Sequence, residues 1–169
     1  MIIQTIVVKT IFVKEKRVKL RAFLDNMTHS DQRAYFFKID STIKRIRNFM
    51  QKNLSEACID LTVDQWVVLD HIKPNSGITQ NDLGIITYKD APTVTRILDI
   101  LVKKNLIERK MSSNDRRKFE LNLTLEGKLL HKIANEVIAE SRKKSWKNLS
   151  DQDYLDLVRI MDTIYANVD

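Results

Sequence analysis

The sequence predicts a mainly α-helical fold with one small β-ribbon. Apolar residues recur at spacings of three and four over most of the chain, which is typical of amphipathic helices. Ser, Thr or Asp stands where most of these patterns begin, as expected for helix N-caps. Only the region around 107–123 combines strand-like segments with a cluster of turn residues. The content of three Gly and two Pro argues against disorder and against a large β-architecture.

The stretch 62–124 contains three helix starts followed by the strand pair. Thr62 and Thr79 each begin a capping box, with Gln or Asp three residues later. Asp90 fits the N-cap of the third helix, and Pro92 occupies its first turn, where an amide proton is not needed. Two short helices, a turn and a two-stranded ribbon in this order predict a winged helix-turn-helix.

The third of these helices is the candidate recognition helix. Its predicted buried side consists of Val94, Ile97, Leu98, Leu101 and Val102. Its other side begins with Pro92, Thr93, Thr95 and Arg96. Side chains in the first turns of a recognition helix reach base edges, where hydroxyls bind bases or phosphates and arginine pairs with guanine. A solvated amphipathic helix has the same pattern, so this helix alone does not decide the function.

The tip of the ribbon adds positive charge beside this helix. It carries Asp115, Arg116, Arg117 and Lys118 after a run of turn-forming residues. Between positions 89 and 118 there are nine Lys/Arg and four Asp/Glu. Cations on a thin ribbon suit contacts with phosphates and the minor groove. Double-stranded DNA is therefore the predicted partner, in agreement with a formal net charge of +7 and a pI near 9.5.

Long helices are predicted on both sides of this middle region. The first spans 31–55 and repeats apolar residues at Phe36, Ile39, Ile43, Ile46 and Met50. After the ribbon, Thr124 begins a helix to about Asn148, with apolar positions at Leu129, Leu130, Ile133, Val137 and Ile138. The last helix opens at Ser150 and repeats apolar residues at Tyr154, Leu157, Met161, Ile164 and Val168. Such stripes pack within one chain or between two, and the pattern alone leaves both open.

The order of these motifs resembles that of the MarR family of bacterial transcription regulators. The matching segments are L-T-V-D-Q-W-V-V-L (61–69), T-V-T-R (93–96), L-V-K-K-N-L-I-E-R (101–109), D-R-R (115–117) and L-T-L-E-G (123–127). The resemblance implies a domain over 27–169, with the winged helix-turn-helix at 62–124 and dimerisation helices at 31–55 and 125–168. It also implies a cytoplasmic homodimer, usually a repressor, that binds a pseudo-palindromic operator.

The resemblance also assigns roles to individual residues. It implies that Thr93, Thr95 and Arg96 face the major groove. It further implies that Arg117 enters the minor groove and that Asp115 braces it across the wing turn.

A small effector is a further expectation from the resemblance. Family members often bind aromatic or phenolic acids between the dimerisation helices and the winged helix. The weak candidates for such contacts in this sequence are Met50, Trp66 and Leu69. Apolar residues at helical spacing are more commonly part of a core.

The first 26 residues do not fit the family pattern. Their β-branched run is interrupted by Lys9 and is too short to span a bilayer. A basic block follows it without a small-residue cleavage site, which argues against a signal peptide. The open interpretations are a disordered extension, an upstream start ahead of Met27, and a β-strand arm that pairs with a partner.

Other classes of function have little support. The three His residues lack metal-ligand spacing, and no phosphate-binding or dinucleotide glycine motif is present, so no catalytic, cofactor or metal residues are assigned. Cys58 lacks an adjacent His, Lys or Arg, and a buried structural role is preferred for it. The alternatives are a thiol-based redox regulator acting through Cys58 and a winged-helix module that binds protein. The cationic wing tip counts against the second.

Overall fold

The computed structural model describes residues 32–73, 77–111 and 119–168 of the 169-residue chain. The helices are α1 (Gln32–Glu56), α2 (Val63–Ile72), α3 (Gln80–Thr87), α4 (Ala91–Lys103), α5 (Leu125–Ser145) and α6 (Asp151–Ala166). The strands are β1 (Ile78–Thr79), β2 (Ile107–Met111) and β3 (Phe119–Leu123). The chain divides into two units, 1–46 and 47–169. The N-terminal extension and the wing tip lie outside the described residues.

Side-chain caps fix where five helices begin. Thr62, Thr79 and Ser150 each form a full capping box with the residue three positions later. Asp90 and Thr124 accept single backbone hydrogen bonds, of 2.7 Å from Thr93 and 2.9 Å from Gly127. All five starts were predicted from the sequence and are confirmed. Caps of this kind each stabilise a helix by about 1 kcal/mol.

The β-ribbon is part of a three-stranded antiparallel sheet with the order β1-β3-β2. Strands β2 and β3 pair from Ile107↔Leu123 to Met111↔Phe119, as the ribbon prediction required. The third strand, β1, was not predicted. It pairs Ile78 with Leu121 and is only two residues long. A two-residue strand is too short to show an alternating pattern of apolar and polar residues in the sequence. Its formation depends on β3, with which it pairs.

The core of the second unit lies where α2, α3, α4 and α5 meet the sheet. Its fully buried side chains include Leu69 from α2, Leu83 from α3, Leu98 from α4, Ile138 from α5 and Leu121 from β3. Each element therefore contributes at least one large aliphatic side chain. Burying a leucine or isoleucine side chain stabilises the fold by about 1.5–3 kcal/mol. This shared core holds α4 and the sheet in a fixed orientation.

Most of the apolar positions noted for α5 lie outside its buried side, although Ile138 is fully buried. Leu129 and Ile133 are exposed. The buried side instead consists of Gly127, His131, Ala134, Ile138 and Ser141. Two of its polar residues have partners on other helices: His131 Nε2 is 2.8 Å from Asp70 Oδ1, and Asn53 Nδ2 donates to Ser141 Oγ at 2.7 Å. The helix also ends at Ser145, three residues before the predicted end at Asn148.

Three further apolar residues, all in the helix-turn-helix segment, are exposed. They are Ile85 and Ile86 of α3 and Val102 of α4, and Val102 was predicted on the buried side of its helix. All three are exposed, and only Leu83 is buried in α3.

Helix α6 has no buried side chain among its described residues. Its exposed apolar residues are Tyr154, Leu155, Leu157, Val158, Ile160, Met161 and Tyr165. In the first unit, the apolar positions Phe36 and Ile43 of α1 are also exposed. The apolar stripe predicted for α6 therefore exists, and the described residues of its own chain leave it exposed.

The preferred buried role of Cys58 was wrong. The thiol is exposed, and its residue has a left-handed backbone with φ 56°. Its N–H donates to the carbonyl of Ser55 at 3.1 Å, just after α1 ends. Reversal of the chain at this point turns the side chain outward. Left-handed turns usually contain glycine or asparagine, so a left-handed residue could not be predicted at Cys58.

Candidate nucleic-acid interface

Helices α3 and α4 cross closely at Gly84. A Cβ atom added to Gly84 would lie 3.3 Å from the carbonyl oxygen of Lys89 and 3.9 Å from Val94 Cγ2. The turn between the helices contains Tyr88 in a left-handed conformation with φ 51°. Lys89 N–H then donates to the carbonyl of Gly84 at 3.0 Å. This tight turn determines which side of α4 faces solvent.

Helix α4 presents the predicted polar side to solvent. Pro92 and Arg96 are exposed, while Thr93 and Thr95 are half-buried. In the described part of the chain, Arg96 has no ion-pair partner. The opposite side is buried at Val94, Ile97, Leu98 and Leu101, as predicted. The geometry therefore brings the four predicted α4 residues together at the N-terminal, solvent-facing end of the helix.

Asp90 fixes the first turn of α4. The backbone N–H of Thr93 donates to Asp90 Oδ1, and this bond, with a second from the Thr93 side chain, lowers the pKa of Asp90. The carboxylate is therefore ionised at neutral pH and accepts both bonds. A negative charge at a helix N-terminus is also favoured by the helix dipole.

Thr95 is tied to α3 by a hydrogen bond that the sequence did not reveal. Gln80 Nε2 donates to Thr95 Oγ1 at 2.7 Å, and Thr95 Oγ1 donates to the carbonyl of Ala91 at 2.8 Å. Gln80 and Ala91 also line an open groove of about 780 Å³ between α3 and the start of α4. Gln80 is thus a further residue of the candidate interface.

A charged cluster anchors the turn before α4. Asp64 Oδ1 lies 2.8 Å from an Arg47 guanidinium nitrogen and 2.6 Å from Lys89 Nζ. Partial burial disfavours the charged carboxylate, but the hydrogen bond from Lys89 and the charges of Arg47 and Lys89 outweigh it and lower the pKa of Asp64. The cluster connects α1, α2 and the residue that precedes the N-cap of α4.

Replacing Asp64 with Asn is expected to destabilise the protein by about 1 kcal/mol, a value reduced by solvent screening of a partly exposed pair. Because the folded-state pKa is lowered, the stabilisation is present above the ordinary value of 3.8 and is lost as the pH falls below it. Thermal melts of wild type and Asp64→Asn should differ at pH 7 and 5 and should converge only as the pH falls below 3.8 and through the lowered pKa of the folded state.

Asp40→Asn is the matched control for this experiment. It breaks an exposed pair of 2.9 Å with Lys44 one helical turn away. Such pairs contribute about 0.3–0.5 kcal/mol, so the control should have a smaller effect at every pH. Equal effects of the two substitutions at pH 7 would contradict an anchoring role for Asp64.

The base of the wing has paired charges. Arg109 lies 2.7 Å from Asp99, and Lys110 lies 2.7 Å from Glu108. These two cations are thus partly neutralised by neighbours in the protein. The wing-tip candidates Asp115, Arg116, Arg117 and Lys118 lie outside the described residues, so their roles remain predictions.

The three candidate effector contacts lie in the core. Met50, Trp66 and Leu69 are all buried, and the Arg142 guanidinium stacks over the Trp66 ring at 5.0 Å. None of the three lines the groove beside α4. Within the described ranges, no group of three or more His, Cys, Asp or Glu side chains is placed to hold a metal ion.

The structure is that of a winged helix-turn-helix protein. Helices α3 and α4 form the helix-turn-helix, with the polar side of α4 facing solvent, and the antiparallel strands β2 and β3 follow. A model of the MarR family matches residues 61–119. The HTH-type transcriptional regulator SarZ of Staphylococcus aureus is 25% identical over 138 residues, which cover 80% of this chain and 88% of SarZ.

Solved structures agree with this assignment. Apo MarR from E. coli is 25% identical, with a TM-score of 0.63 over 75% of this chain and 93% of that one. The S. aureus MepR–DNA complex is 23% identical and shares the fold, with a TM-score of 0.70 over 84% of this chain and 99% of that one. Residues 61–119 of the chain thus match the MarR family of winged-helix regulators, as the motifs indicated. None of the helices in the described ranges has the length and apolar character needed to cross a membrane.

Proposed function

We propose that this protein is a dimeric transcription regulator that binds double-stranded operator DNA. The observation that carries the proposal is the exposed Arg96, which has no ion-pair partner among the described residues and lies beside Pro92, Thr93 and Thr95 at the start of α4. Recognition helices place side chains of their first turns against base edges in the major groove. Arginine there can make two hydrogen bonds to guanine. SarZ is an HTH-type transcriptional regulator, and the MepR structure is a complex with DNA.

The wing is proposed to make the second contact in each half-site. From the family resemblance, Arg117 enters the minor groove and Asp115 braces it. Arg116 and Lys118 add positive charge for the neighbouring phosphates. Because Arg109 and Lys110 are already paired at the base of the wing, the tip is expected to supply most of its positive potential.

A homodimer is proposed because α6 exposes a continuous set of large apolar side chains. Exposed apolar patches of this kind mark interaction surfaces. A second copy of the chain offers the same surface, and a two-fold interface pairs such surfaces with each other. The dimer would place two α4 helices about 34 Å apart, which matches successive major grooves on one side of DNA.

Repression and its release complete the proposal. A dimer on a pseudo-palindromic operator blocks transcription from an overlapping promoter. A small aromatic or phenolic effector would shift the dimer toward a spacing that does not fit DNA. Binding of such an effector at Met50, Trp66 and Leu69 would require the side chains to move, because all three are buried.

Selection of duplexes from a random pool tests DNA binding without knowledge of the operator. We expect the selected duplex to contain two half-sites and to bind more weakly as salt rises. Replacing Arg96 with Ala should weaken binding by about 1–3 kcal/mol and reduce the preference over a scrambled duplex. Fluorescence anisotropy at several salt concentrations measures both effects.

Lys132→Ala is the matched control, because it removes an exposed cation from α5 instead of α4. It should leave the preference for the selected duplex unchanged. Recovery of no preferred duplex would contradict the proposed function. A preferred duplex with Arg96→Ala equal to Lys132→Ala would instead place the contact surface elsewhere on the protein.

A further inference from the structure

The hydroxyl group of Thr95 is already engaged within the protein. Its single proton is donated to the carbonyl of Ala91 at 2.8 Å. The same oxygen accepts a hydrogen bond from Gln80 Nε2 at 2.7 Å. A hydroxyl has one donor and two acceptor positions, so one acceptor position is left. Thr95 cannot donate to a base or a phosphate unless it breaks its bond to Ala91.

The methyl group of Thr95 is therefore its main remaining contact group. The side chain is half-buried and lies on the solvent-facing side of α4 with Arg96. In the major groove, the apolar feature of a base pair is the 5-methyl group of thymine. Contacts between a threonine methyl and a thymine methyl are a recognised form of direct readout.

Gln80 has the position needed to hold this orientation. It is the first residue of α3 and is half-buried in the groove beside Ala91. Its amide group bonds Thr95 across the helix crossing, fifteen positions along the chain. The close approach of the two helices at Gly84 keeps the donor and acceptor within reach.

We propose that Thr95 recognises a thymine of the operator through its methyl group and that Gln80 is the positioning residue that fixes this side chain. The inference rests on the DNA-binding function proposed above and adds a base preference to it. It differs from a polar role for Thr95, in which the hydroxyl would bind a base or phosphate.

The test uses the duplex selected from a random pool by the wild-type protein. Each thymine is replaced in turn by deoxyuridine, which lacks only the 5-methyl group. One replacement in each half-site should weaken wild-type binding about 3–5-fold, the effect of removing one buried methyl group. Thr95→Ser keeps the hydroxyl but lacks the methyl. It should bind the thymine duplex more weakly and should not distinguish deoxyuridine at that position.

Thr95→Val provides the opposite substitution, because it keeps a methyl group and removes the hydroxyl. It should retain the preference for thymine over deoxyuridine. Gln80→Ala should reduce this preference in the wild-type background and leave it unchanged in the Thr95→Val background. A folding defect would weaken binding to both duplexes equally and would not change their ratio.

The possible failures are distinguishable. If the pool yields no preferred duplex, the DNA-binding function itself fails. If Thr95→Ser keeps the wild-type sensitivity at every thymine, the methyl contact is overturned. If Thr95→Ser loses the preference for thymine over deoxyuridine but Gln80→Ala keeps it in full, the methyl contact stands and the positioning role of Gln80 is overturned.

Discussion

Gly127→Ala is expected to lower the melting temperature by about 6–12 °C. Gly127 lies in the first turn of α5, where its N–H donates to Thr124 Oγ1 at 2.9 Å. A Cβ atom there would overlap the carbonyl oxygen of Leu106 and lie 2.8 Å from its carbonyl carbon. Leu106 cannot move freely, because its carbonyl accepts the N–H of Thr124 and its side chain is buried. Overpacking against backbone destabilises by about 3 kcal/mol, at about 2–4 °C per kcal/mol for this chain length.

Gly84→Ala is the matched control for this substitution. It also adds a methyl group to a helical glycine, but the nearest atom would be 3.3 Å away. Alanine favours helix by up to about 1 kcal/mol over glycine, which offsets the tighter packing. Differential scanning calorimetry should therefore show a small change for Gly84→Ala and a large decrease for Gly127→Ala. Equal melting temperatures for the two variants would mean that α5 can shift away from Leu106 without loss of stability.

Leu157→Glu is expected to convert the dimer into a monomer and to weaken binding to the selected duplex by at least about 100-fold. Leu157 is 46% exposed within its own chain, in a helix with no buried side chain among its described residues. In the proposed dimer, this side chain is covered by the partner, and a glutamate there would bury an unpaired charge. Loss of the dimer removes the second half-site contact, which contributes a factor of about 10²–10⁴ to binding.

Thr163→Glu introduces the same charge on the polar side of α6 and is the matched control. Its hydroxyl donates to the carbonyl of Arg159 within the same helix, and the side chain is exposed. Analytical ultracentrifugation should find a dimer for wild type and Thr163→Glu and a monomer for Leu157→Glu. A dimeric Leu157→Glu variant with normal DNA affinity would remove α6 from the proposed interface.

Local sequence signals predicted the helix starts well. Caps such as Thr62, Thr79 and Ser150 act on backbone groups three residues away, so a single short segment contains both partners. The buried side of α5 was not predictable in this way. Its burial of His131 and Ser141 depends on Asp70 and Asn53, which are remote in sequence.

In the candidate site, too, the local features were predicted from the sequence and the contacts between separate helices were not. Helical spacing predicted that Thr93, Thr95 and Arg96 would share one side of α4, because that relation is local. The bond from Gln80 to Thr95 and the cluster around Asp64 join separate helices. Charged and amide side chains have many potential partners, so only the tertiary structure selects among them. The contribution of the wing tip is still predicted from sequence and family resemblance alone.

Because α5 packs against Leu106 at Gly127, a small tilt of the helix at this contact would produce a larger displacement at its other end. The helix is 21 residues long and unbroken, which corresponds to about 30 Å at 1.5 Å per residue. A tilt of about 5° at the Gly127 end would displace its far end by about 3 Å. That displacement is close to the rise of one base pair along DNA, about 3.4 Å. A small change in the contact between Gly127 and Leu106 would thus displace the far end of α5 by about one base-pair rise.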